Sequence, residues 1–120
     1  TATGFQFRLR SLGEALYLYS NTAMHRREGD TWRRVEKPTG AKTVYGAAGE
    51  GETVCLHTNI VEDGETTGYG IFAAADPTRA DDWTQIREVE RLDTLYMTMT
   101  QGILYVADRR ERRIWQVKLQ

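Results

Sequence analysis

Along most of the chain, apolar and polar residues alternate with period two. Phe5, Phe7 and Leu9 alternate with Gln6, Arg8 and Arg10, and Leu95, Met97 and Met99 with Tyr96, Thr98 and Thr100. Successive side chains of a strand point to opposite faces, so this pattern predicts strands with one buried side. Leu16 to Tyr19 and Ile103 to Val106 are continuously apolar instead, which predicts inner strands covered on both faces. Glycines and turn formers fall between these runs: Ser11-Leu12-Gly13, Glu28-Gly29-Asp30, Pro38-Thr39-Gly40, Gly49-Glu50-Gly51, Glu62-Asp63-Gly64, Asp76-Pro77 and Gln101-Gly102. Helical signal is thin, since Arg79 to Asp82 can close at most one turn. The reading is an all-β chain of about eleven short strands.

These strands group into three blade-like meanders in a single all-β domain, near 5–37, 42–89 and 94–119. Each contains a short apolar strand, a Gly-bearing or acidic turn, and a strand headed or occupied by Trp32, Trp83 or Trp115. Repetition at roughly 40–50 residues points to stacked β units of the propeller kind. Leu16, Leu18, Val54, Leu56, Ile71, Ala73, Leu104 and Val106 are the expected core. The second unit carries a polar, acidic stretch, Asn59 to Gly68, that reads as a hairpin tip longer than its counterparts. The third is one strand short of four. Its open edge predicts a homo-oligomer or completion by another polypeptide, with the strand around Phe5 to Leu9 as donor. The competing architecture is a β-trefoil of three repeats, against which the uneven spacing of the three Trp residues counts.

Gly102-Ile103-Leu104-Tyr105-Val106-Ala107-Asp108, followed by Arg113-Ile114, resembles the repeat of NHL-type and related β-propellers. Glu28-Gly29-Asp30-Thr31-Trp32 resembles the tail of the Asp-box of sialidase-like propellers, matching at Gly29, Thr31 and Trp32. Arg27 and His25 stand where that box has its Asp and its leading Ser or Thr. The resemblance implies propeller blades. It implies no sialidase activity, because such boxes mark blade turns remote from active sites.

Composition narrows the chemistry. With 16 basic and 17 acidic residues, bulk charge supports neither a nucleic-acid nor a membrane role. No apolar run approaches the ~18–20 residues that span a bilayer as a helix. The opening Thr1-Ala2-Thr3-Gly4 is neither a Met start nor a signal peptide, and reads as a processed or excised segment. The lone cysteine, Cys55, can form no intrachain disulfide and reads as a half-buried structural thiol, which leaves the compartment open. Ser11 and Ser20 sit in a turn and at a strand end, with no oriented base beside either. His25, His57 and Cys55 are too dispersed for a metal site, the acid pairs Asp81-Asp82 and Glu62-Asp63 lie in turns, and no phosphate-binding glycine loop is present. No catalytic residue, metal or cofactor is assigned.

The strongest local charge is Arg109-Arg110-Glu111-Arg112-Arg113. Its four guanidinium groups suit phosphate, a carboxylate-bearing glycan or an acidic protein, while a solvated turn that discourages edge-to-edge pairing is the simpler account of them. Arg109, Arg110, Arg112 and Arg113, with Trp32, Trp83 and Trp115 as stacking platforms, are the candidate ligand-binding residues; packing between blades is the structural alternative for the three Trp rings. The expected function is a non-enzymatic binding or protein-interaction module, lectin-like in one form. The alternative is a fragment of a propeller enzyme, such as a glycoside hydrolase, completed by residues outside this chain.

Overall fold

The computed structural model describes residues 8–20, 23–89 and 95–119. Of these, 67% lie in strands, and the described residues contain no α-helix, only a single 3₁₀ turn at Ala80–Asp82. Three antiparallel sheets result, none closed on itself. The first contains β1 (Arg8–Leu12), β2 (Ala15–Tyr19), β3 (Met24–Glu28) and β4 (Thr31–Arg34). The second contains β5 (Val44–Glu50), β6 (Thr53–Glu62), β7 (Glu65–Ala74) and β8 (Thr84–Val89). The third contains β9 (Leu95–Thr100), β10 (Ile103–Asp108) and β11 (Arg113–Lys118). Strand order follows chain order in every sheet, so each is a meander of hairpins.

The sheets stack in sequence order around two apolar cores. One, between the first and second sheets, contains Leu12, Tyr17, Tyr19, Met24, Val44, Ala47, Val54 and Leu56, with Trp83 packed on its margin. The other, between the second and third, contains Ala48, Cys55, Ile71, Met99, Leu104 and Val106. Val54, Leu56, Ile71, Leu104 and Val106 are therefore buried as expected, whereas Ala73 is part-buried.

Leu16 and Leu18 depart from expectation. On β2 it is Tyr17 and Tyr19 that face the core, and the two leucines lie half-buried on the opposite face. The cause is coverage. β2 and β10 are flanked by strands on both sides, but each has another sheet packed on one face only.

Asn59 to Gly68 is the end of a long hairpin: β6 and β7 pair out to Glu62 and Glu65 across a register shift between Ile60 and Val61, and Asp63 and Gly64 close it with φ of 52° and 79°. Positive φ at both central residues suits the right-handed twist of the flanking strands, which is why Asp-Gly ends the hairpin there. Arg8 and Leu9 pair with Tyr19 and Leu18 of their own sheet, in which β1 is an edge strand. Phe5 and Phe7 lie outside the described residues.

One end of the stack is held by turns. Gly13, Gly51 and Gly102, all at positive φ, close the first hairpin of each sheet. The Glu14 N–H donates to Gly51 O at 3.1 Å, and the Glu50 carboxylate accepts the N–H groups of Gln101 and Gly102, the latter at 2.8 Å. Each turn is thus tied to the next sheet's turn by a polar contact, and the first strand of the second sheet, β5, adjoins both β1 and β9.

Candidate functional site

The first strands of the three sheets line a common cleft of about 650 Å³. β1 and β2 contribute Arg8, Arg10 and Tyr19; β5 and β6 contribute Tyr45, Gly46, Ala47 and His57; β9 contributes Leu95, Tyr96 and Met97. Period-two alternation puts Arg8 and Arg10 on one side of β1, and their register partners Tyr19 and Tyr17 place that side toward the second sheet. The Arg10 guanidinium reaches across and donates to Ala47 O at 3.2 Å.

A bulge shapes the centre of the cleft. Val44 pairs with Thr58 and Gly46 with His57, which leaves Tyr45 as an extra residue in β5. Such an insertion bends the strand and re-aims a side chain. Here the Tyr45 ring lies 5.4 Å from the His57 ring and 6.0 Å from that of Tyr69, both tilted. Burial, helped by the neighbouring Tyr69, raises the Tyr45 pKa, so the phenol stays neutral at physiological pH. Gly46 keeps the floor low: a Cβ there would sit 3.9 Å from Leu95 O and Met97 Cε.

The Tyr19 hydroxyl is buried and has no hydrogen-bond partner among the described residues. A buried polar group of this kind is costly unless something satisfies it. Among the described residues no carboxylate lines the cleft, and the fixed charge they bring to it is that of two guanidinium groups. Together with the tyrosine and histidine rings, these make a concave, positively charged and partly aromatic surface suited to a small anion-bearing ligand.

The residues singled out from sequence occupy three other places. Arg109, Arg112 and Arg113 border an open hollow of about 490 Å³ on the third sheet, with Tyr96, Ala107, Asp108 and Ile114. The whole turn 109–113 is exposed, and Asp108 organises it by accepting the Arg110 and Glu111 N–H groups, each at 3.1 Å. Trp32 is 43% exposed on the outer face of the first sheet. Trp83 donates its indole N–H to Glu36 O, and Trp115 lies under the Arg87 guanidinium, 3.9 Å from the ring centroid. These last two rings pack between sheets, and none of the three lines the cleft. Tyr96 borders both hollows.

Arg8, Arg10, Tyr19, Tyr45 and His57 were not singled out as ligand residues from sequence. Alternation with Phe5, Phe7 and Leu9 puts Arg8 and Arg10 on the polar side of a strand, and nothing in Val44-Tyr45-Gly46 marks a bulge. Cys55 is fully buried rather than half-buried, and burial pushes its thiol up to about 12, which makes it inert at neutral pH. Among the described residues no group of three His, Cys, Asp or Glu side chains is placed to hold a metal ion, and no helix is long and apolar enough to cross a membrane. No family profile, curated protein or solved structure matches the chain.

Proposed function

We propose that this chain is a non-enzymatic, lectin-like binding module built from three β-propeller blades, with the cleft between β1, β5 and β9 as its ligand site. Support for blades comes from the way the meanders stack: first strand beside first strand, with their turns tied together at one end. In a propeller the innermost strand of each blade adjoins a central channel in this manner. The ligand reading rests on one observation, the pairing of two guanidinium groups with tyrosine rings in a concave site with no carboxylate among its described lining residues. About 650 Å³ is within the range of small-molecule pockets and suits a short acidic glycan better than a folded acidic protein.

Calorimetric titration with a carboxylate-bearing oligosaccharide, beside its neutral counterpart, tests this reading. The acidic glycan should bind and the neutral one should not, and Arg8→Gln should weaken binding about tenfold or more, as expected for loss of a charge-assisted hydrogen bond. Equal binding of both sugars, binding unaffected by Arg8→Gln, or preference for an acidic peptide would overturn it. Release of a cleaved sugar during the titration would favour the propeller-enzyme alternative.

A further inference from the structure

The three sheets can be superposed position by position. Leu12 pairs with Ala15, Glu50 with Thr53, and Thr100 with Ile103 across the first turn of each meander. Counting forward from those pairs makes Leu16, Val54 and Leu104 equivalent, and likewise Leu18, Leu56 and Val106. In the second and third sheets these positions form a rear face, buried against the sheet before. Leu16 and Leu18 form the same face in the first sheet, where no described sheet covers them and they stay half-buried.

The front faces obey the same rule. Tyr17, Cys55 and Tyr105 are equivalent; Tyr17 is buried against the second sheet, Cys55 against the third, and Tyr105 is only half-buried. The stack therefore ends in two unmatched faces of opposite type. Its rear end exposes 60% of Leu9, beside Leu16, Leu18 and Trp32. Its front end exposes 58% of Tyr96 and 74% of Ile114, beside Ile103 and Tyr105. Exposed apolar surface concentrated on opposite ends of a stack marks association surfaces, and each end is of the type that covers the other twice within the chain.

We infer that a second copy of this chain packs its rear face on the front face of the first, and its front face on the rear, so that two chains close a ring of six meanders. This rests on the blade reading given above. The contact is heterologous, and two such contacts related by a twofold axis close without leaving a free face. The cleft is then incomplete in one chain, because the partner copy brings its own inner strands, with their Arg8 and Arg10, to the same central space.

Sedimentation velocity of the 120-residue chain at micromolar concentration tests the inference. The expected species has twice the 13.7 kDa chain mass. Leu9→Glu and Ile114→Glu, both at exposed sites, should each leave the circular dichroism spectrum unchanged and raise the midpoint concentration for dimerisation about tenfold or more, since each buries an unpaired charge in the contact. Mixing the two variants restores one unmodified rear-to-front contact, so the mixture should associate more strongly than either variant alone. A folded monomer, a dimer indifferent to both substitutions, or a dimer sensitive to only one of them would overturn the inference. Failure of glycan binding with association intact would remove the ligand reading and leave this one standing.

Discussion

Cys55 shows how placement decides the chemistry of a single side chain. The thiol is fully buried in the core between the second and third sheets, and desolvation of the thiolate raises its pKa from 9.0 to about 12. The folded state therefore keeps a proton that the unfolded chain releases. Its contribution to stability is complete below pH 9 and is lost as pH rises toward 12. Melting temperatures measured across that window should fall more steeply for the native chain than for Cys55→Ala, and a thiol-reactive dye at neutral pH should label Cys55 only when denaturant is present. Equal alkaline slopes for the two proteins would contradict this account. At the same scale, Tyr19 is legible as a member of an apolar strand, but its meeting with His57 in one cleft is not, because it depends on a bulge at Tyr45 and on the contact of separate sheets.

Among the elements, the turns carry the most information. Gly13 and Gly51 have nearly equal φ, 64° and 60°, and the sequence marks both simply as turn glycines. Their surroundings differ. A Cβ at Gly51 would have no heavy atom within 4 Å, while one at Gly13 would sit 2.2 Å from Gly51 O. Gly51→Ala should cost about 1–2 kcal/mol, the penalty of left-handed backbone for an L-residue. Gly13→Ala should cost clearly more, because the first and second sheets must separate at that end. Thermal or denaturant melts of the two variants compare these costs directly, and equal losses would show that the close approach contributes nothing. The strands themselves were legible because alternation and glycine spacing are local. The long 59–68 hairpin is legible as such, but its polar composition hides how far its strands run, to Glu62 and Glu65.

For the molecule as a whole, stability depends on which faces find cover. Leu104 and Leu16, like Val106 and Leu18, are equivalent positions, yet the third-sheet pair is fully buried and the first-sheet pair is not. Leu104→Ala should cost about 2–5 kcal/mol, the range for deleting a fully buried leucine side chain. In dilute solution, Leu18→Ala should cost less than half as much, and the gap should narrow as protein concentration rises and the rear face becomes covered. Chemical denaturation at two protein concentrations measures both effects. A Leu18→Ala loss equal to that of Leu104→Ala in dilute solution would mean that the rear face is already covered within one chain.

By itself the sequence determined the all-β class, the three meanders and most of the core, because period-two alternation and turn-forming glycines act between residues adjacent along the chain. The apolar run Ile103 to Val106 is a strand whose Leu104 and Val106 are buried, and Asp108 organises the turn that follows it. Only the tertiary structure decided which side of β2 faces inward, why Leu16 and Leu18 stay half-buried, and that Arg8, Arg10, Tyr19, Tyr45 and His57 share a cleft. The physical reason is that an apolar strand can bury either face equally well on its own. The choice belongs to the sheet that packs against it, and no local pattern records which sheet that is.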